Sequence, residues 1–224
     1  MSKDRQYWGK FWAERDNPLH SGSDAAYYDK LASELSLLLP PELQSLLDIG
    51  CGSGALYQRM GLDKLNYIGI DLSQAMVKKF KEDHPQADVR LCDIRDFATD
   101  QNFDVIFSHG VLQNISPVEF DTMLATTKKL LTPTGCIIHA GVLWDRGRRI
   151  VESGVLQETP LPFYKRAANT LLTRSKMKMG MGHWYSMRKV RQQAMRQGLS
   201  AKFYGSMLYP YRFHVVFTRY TTDA

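Results

Sequence analysis

Five short, nearly continuous apolar runs, at residues 45–50, 66–71, 88–93, 103–108 and 135–142, are separated by segments long enough to form helices. A strand with one wet face alternates polar and apolar residues. A run that is apolar at both parities is buried on both faces. Such strands alternating with helices specify a parallel sheet, and right-handed crossovers wind the helices onto both of its faces.

The residues between the runs agree. Ser73 precedes a helix to about His84, stopped by Pro85, and Ser116-Pro117 opens another to about Leu131, with proline at its favoured first position. Residues 53–60 read as a short helix. Upstream, Ser23 or Asp24 caps a helix to about Leu39, with Tyr28, Leu31, Leu35 and Leu38 on one face and Pro40-Pro41 at its end. Downstream, a helix over 186–197 precedes strands at 201–207 and 211–220, and their short connection makes them antiparallel. The expected fold is α/β: a doubly wound seven-stranded sheet, mostly parallel with an antiparallel last strand, helices on both faces. Residues 1–42 read as an N-terminal lid and helix, 43–142 as the core of the sheet and 143–185 as an insertion over the sheet edge. Residues 186–224 then complete the sheet.

At 224 residues with 44% hydrophobic content, the chain has material for one well-buried domain, which excludes global disorder. No apolar run approaches the ~20 residues of a membrane span. The opening Met-Ser-Lys-Asp-Arg-Gln has no apolar segment behind it, so the expected compartment is the cytoplasm. Cys51, Cys92 and Cys136 are widely spaced and odd in number, which suits free thiols and gives no zinc-ligand spacing; no metal is expected. The net charge of +6 is concentrated, with ten Lys/Arg against three Asp/Glu over residues 143–190. Such a segment is either a solvated basic surface or a site for an anionic partner.

The loop Asp48-Ile49-Gly50-Cys51-Gly52-Ser53-Gly54 is the most informative stretch. Glycines let the chain turn sharply after a strand and let a ligand approach the backbone. Gly50, Gly52 and Ala55 also satisfy the dinucleotide fingerprint, and Asp71 lies where an acid would hold ribose hydroxyls. Asp48 discriminates: a carboxylate before the first glycine repels a diphosphate and suits an ammonium. Asp93, ending the third run, can accept from an adenine amino group. Three acids at three strand ends match a ligand with a cationic amino-acid part, a ribose and an adenine.

These pieces, with Gly69-Ile70-Asp71-Leu72-Ser73, Leu91-Cys92-Asp93-Ile94, Phe103-Asp104-Val105-Ile106-Phe107-Ser108 and Leu130-Leu131-Thr132-Pro133-Thr134-Gly135, resemble the class I S-adenosylmethionine-dependent methyltransferases over residues 43–142. The resemblance implies S-adenosyl-L-methionine as cofactor. The loop through Cys51, Gly52 and Gly54 would back its methionine part and Asp71 would hold the ribose. Cys92, Asp93 and Ile94 would frame the adenine, with Leu72 and Met76 packed on the adenosine. Ser108, His109 and Gly110 would lie near the sulfonium.

Methyl transfer to oxygen or nitrogen needs positioning and, for a protonated acceptor, a base. His109 is best placed for that role, followed by His139 and His183. The run after the fourth strand lacks the Asn/Asp-Pro-Pro-Tyr/Phe pattern that resembles nucleobase amino methyltransferases, and no Pro-Cys follows it. Tyr7, Trp8, Phe11 and Trp12, with Tyr27 and Tyr28, read either as packing or as a lid that excludes water. Tyr7, Trp8, Trp12, Tyr28, Trp144 and Arg146 are the expected acceptor contacts. The favoured reading is a methyltransferase acting on O or N of a small, acidic molecule of specialised metabolism. The alternatives are an RNA or protein methyltransferase, and an enzyme or sensor that uses S-adenosylmethionine without transferring methyl.

Overall fold

The computed structural model describes residues 25–152 and 182–220. Among them, seven strands form one sheet: β1 (Ser45–Ile49), β2 (Asn66–Asp71), β3 (Asp88–Leu91), β4 (Phe103–His109), β5 (Leu131–Leu143), β6 (Leu199–Gly205) and β7 (Arg212–Arg219). Their order is β3-β2-β1-β4-β5-β7-β6. The first five are mutually parallel, and β7 runs antiparallel to both β5 and β6. The expected doubly wound sheet with a reversed last strand is therefore the one observed.

Five helices flank the described sheet: α1 (Ala25–Ser36), α2 (Gln74–Asp83), α3 (Pro117–Lys129), α4 (Arg148–Glu152) and α5 (Met187–Arg196). Every residue of β1 is buried, which explains why apolar residues stand at both parities of the strand, at Leu46, Leu47 and Ile49. Leu46 joins α1 and α2 residues such as Leu35 and Phe80 on one face. Leu47 and Ile49 join α3 and α5 residues such as Phe120 and Val190 on the other. Ser73 caps α2 by accepting the Met76 N–H. Ser116 and Glu119 form a capping box on α3 with Pro117 at its first turn, as the dipeptide implied.

Three local expectations change. Residues 53–60 form successive turns rather than a helix, because the Tyr57 ring is drawn onto Tyr67 and Phe80, with centroids 4.7 and 5.2 Å away. Helix α1 ends at Ser36, and its last apolar residues continue as a turn in which the Leu38 N–H bonds the Leu35 carbonyl. Strand β5 begins at Leu131, four residues before the apolar run, and carries a register irregularity between His139 and Val142 opposite β7. No helix of the described residues is long and apolar enough to cross a membrane.

Candidate active site

The strand order reverses between β1 and β4, so their carboxyl ends splay and leave a crevice, the usual ligand position in open α/β sheets. Here the crevice is a cavity of about 500 Å³. Strands β1 to β3 and the segments that follow them supply one half through Asp48, Gly50–Gly52, Asp71, Leu72, Met76, Cys92, Asp93 and Ile94. The opposite half comes from Tyr27, Tyr28, Gln113, Tyr209, Tyr211 and Arg212, and His109 and Gly110 stand between the two.

Gly50 leaves β1 at φ +72°, and a Cβ there would run into the Val111 side chain, so this turn requires glycine. Asp48, 6% exposed, accepts from the Tyr67 hydroxyl at 3.1 Å. Burial pushes its carboxyl up to about 7; the Tyr67 bond opposes the rise and the Asp71 charge adds to it. Burial, then Asp48 and Asp71, push the Cys51 thiol far up, so it lines the cavity as a neutral group.

Asp71 has a second role that its spacing did not reveal. One oxygen accepts the Gly52 N–H at 2.9 Å and the other the Ser73 N–H at 2.8 Å, so the carboxylate fastens the glycine loop to the start of α2. Asp93 also lines the cavity, but both its oxygens accept from Arg95, the shortest contact being Nη2 at 2.7 Å. Arg95 reaches Glu119 of α3 as well, at 3.5 Å. The expected free acceptor for an adenine is thus one end of an ion-pair chain. An Arg two residues after a strand-end acid was the available signal. Gly54 lies outside the cavity and packs against the Phe80 ring.

Strand β4 divides its expected site residues. His109 lines the cavity, with its ring against the β5 backbone at Gly141. Ser108 does not: it is fully buried, and its hydroxyl lies 2.7 Å from Nδ1 of His139, its register partner on β5. His139 is fully buried between Phe120 and Phe217, and burial lowers its pKa to about 3. Neither Ser108 near the sulfonium nor His139 as base survives, because both belong to the interior between sheet and helices. His183 is exposed and lies outside the cavity lining, its N–H bonded to the Gln113 carbonyl at 2.7 Å.

The expected acceptor contacts are also redistributed. Tyr28 lines the cavity. Trp144 instead packs on the core beside its bridge to Tyr185, and Arg146 is exposed with its N–H on Asp145; neither lines the cavity. Tyr7, Trp8 and Trp12 lie outside the described residues, as does most of the basic insertion. The cation in the acceptor half is Arg212, at the start of β7. Its Nη1 donates to Gln113 Oε1 at 3.2 Å and to the Gly141 carbonyl at 2.5 Å, and its guanidinium lies over the Tyr209 and Tyr211 rings. Among the described residues no carboxylate pairs with it, and its hydrogen bonds to Gln113 and Gly141 both come from Nη1. The Tyr-Pro-Tyr-Arg run at 209–212 held this signal, but nothing local ties it to the glycine loop.

A family model described as a methyltransferase domain matches residues 47–137. Over that segment the chain is similar to methyltransferase domains. The dTDP-4-amino-2,3,4,6-tetradeoxy-D-glucose N,N-dimethyltransferase of Saccharopolyspora spinosa is 41% identical to this chain over 66 residues, 30% of this chain and 26% of that protein. The cyclopropane-fatty-acyl-phospholipid synthase of Escherichia coli (strain K12) is 32% identical over 136 residues, 59% of this chain and 34% of that protein. The chain thus spans about a quarter to a third of these relatives. Among solved structures, magnesium protoporphyrin IX methyltransferase from Synechocystis PCC 6803 with bound SAM superposes with a TM-score of 0.64 at 13% identity, over 98% of this chain and 99% of that one. The methyltransferase fold therefore extends beyond the matched segment to the reversed strand pair.

Proposed function

We propose that this chain binds S-adenosylmethionine in the cavity and transfers its methyl group to an oxygen or nitrogen of a small molecule bearing an anionic group. One observation carries the reading: a single cavity has carboxylates at the glycine-loop end and, at the other, a guanidinium under tyrosines with no carboxylate partner among the described residues. Asp48, buried without a cation beside it among the described residues, fits an α-ammonium. Asp71 keeps lone pairs for ribose hydroxyls after accepting two N–H groups, and Leu72, Met76, Cys92 and Ile94 offer walls for an adenine. A protein of this fold is described with bound SAM.

Bound there, the sulfonium supplies an electrophilic methyl whose C–S bond electrons remain on sulfur. Arg212 orients the acceptor through its anionic group, and the tyrosines stack on its body and exclude water. His109 takes the proton released by the acceptor oxygen or nitrogen. A guanidinium and a sulfonium in one cavity repel each other, and an anion between them relieves that repulsion. On this reading the acidic-group contact is Arg212 of β7. The three unbridged cysteines fit a reducing cytoplasm.

The test is calorimetry with S-adenosylhomocysteine, followed by methyl transfer to paired small phenols and amines with and without a carboxylate. The expectation is binding, methylation of carboxylate-bearing members, and loss of that preference in Arg212→Met with S-adenosylhomocysteine affinity retained. Methylthioadenosine as product would favour the non-methylating alternative. Methylation of bulk RNA in place of every small acceptor would favour a nucleic-acid substrate.

A further inference from the structure

Behind the acceptor half of the cavity lies a polar pair that does not line it. Glu34 on α1 is 5% exposed and His214 on β7 is 2% exposed. The Glu34 Oε1 to His214 Nε2 distance is 2.9 Å. A buried carboxylate is a poor source of stability, since well-packed apolar side chains of similar size often serve as well. The contacts of this pair run instead to the backbone segments that carry the acceptor wall.

Glu34 Oε1 also accepts the Met207 N–H at 2.6 Å, at the start of the turn that leads to Tyr209 and Tyr211. His214 Nδ1 accepts the Gly141 N–H at 3.2 Å. With Nδ1 accepting, the ring proton sits on Nε2, and a neutral His214 donates it to Glu34. Gly141 occupies the register irregularity of β5 at φ +67°. Its carbonyl accepts from Arg212, and a Cβ on it would come within 2.9 Å of His109 Nε2. A strand irregularity of this kind re-aims neighbouring side chains, and here it holds the proposed anion contact on one side and the proposed base on the other.

We infer that Glu34 and His214 are positioning residues for methyl transfer: from behind the sheet they fix the 206–211 turn and the Gly141 irregularity, so that Arg212, His109 and two tyrosines face one acceptor. The activity arm of the test rests on the function proposed above, and the spectroscopic arm does not.

The experiment is long-range proton–nitrogen NMR of the histidine rings in the full chain, with S-adenosylhomocysteine affinity measured in parallel. The wild type should show His214 as the Nε2–H tautomer. Glu34→Leu should displace the His109 ring signals although the substituted side chain cannot touch that ring, and Glu34→Gln, which keeps an acceptor oxygen, should restore them. S-adenosylhomocysteine affinity should stay within about twofold, as expected for an independent site. On a carboxylate acceptor, saturated turnover of Glu34→Leu should fall by about 10²-fold, the scale of an ångström-size misplacement, and recover in Glu34→Gln. If Glu34→Leu does not fold, His214→Gln serves: it keeps the bond toward Glu34, gives up the acceptor for Gly141, and should displace the same His109 signals. Unchanged His109 signals in a folded variant, or a cofactor-affinity loss matching the turnover loss, overturn the inference. Failure to bind S-adenosylhomocysteine in the wild type would instead overturn the proposed function and leave the histidine spectra still readable.

Discussion

If Asp48 pairs with the ligand's ammonium as proposed, binding is a proton-linked event. The Asp48 carboxyl, buried and held up to about 7, must ionise before it can pair with an ammonium. A group with that pKa is about half ionised at pH 7 and about 3% ionised at pH 5.5. If only the ionised form binds, the dissociation constant of S-adenosylhomocysteine should rise about 15-fold on acidification between those values. The ligand's own α-amino group stays charged throughout this window. Calorimetry in buffers of different ionisation enthalpy should also detect proton release at pH 6. The same shift acts on the ligand-free fold with the opposite sense. A carboxyl raised in the folded state favours the neutral form, so its contribution to stability is present at low pH and lost as pH rises toward 7 and beyond. Three pKa units correspond to on the order of 4 kcal/mol. Asp48→Asn should therefore melt higher than wild type at pH 8, by a margin that shrinks toward pH 5, while binding weakly at every pH. A dissociation constant in the wild type that is flat from pH 5.5 to 7, or the same slope in Asp48→Asn, would refute the reasoning.

Asp71→Ala should weaken S-adenosylhomocysteine binding by roughly 10–100-fold, because each charge-assisted hydrogen bond lost is worth about 1.5–3 kcal/mol; calorimetry showing unchanged affinity contradicts this. His109→Ala should lower saturated turnover by about 10²–10⁴-fold with little change in cofactor affinity. A loss confined to cofactor binding would make His109 a lining residue only. Gly50→Ala should cost roughly 1–3 kcal/mol from the left-handed backbone conformation alone, read as a lower melting temperature. A melting curve identical to wild type would mean the loop can relax away from Val111.

The cofactor half of the cavity was legible because its parts are local. A strand, a glycine turn and a strand-end acid recur within a few residues, and Asp48 and Asp71 stand where that pattern puts them. Ser108 and His109 show where local pattern stops. Adjacent strand residues face opposite sides, so both could not meet one ligand, and the pleat sends Ser108 inward to its register partner His139. His139, late in a strand buried on both faces, has no open side from which to serve as a base. The acceptor half was not legible because its pieces come from distant chain segments. Tyr27 and Tyr209, with rings 6.4 Å apart, meet only through the packing of α1 near the β6–β7 turn. Charge density in the insertion points to Arg146, whereas the cation of the acceptor half is Arg212 on β7, brought beside the start of that segment only by its register with Leu143.

The two halves of the cavity also differ in how far the family match covers them. Asp48, Asp71 and Asp93 fall inside the segment that the family model matches, whereas Tyr27, Tyr28, Tyr209, Tyr211 and Arg212 all fall outside it. The match thus covers the carboxylates of the glycine-loop half and, of the acceptor half, only Gln113, so similarity over that segment says little about the tyrosines and Arg212 that complete the cavity.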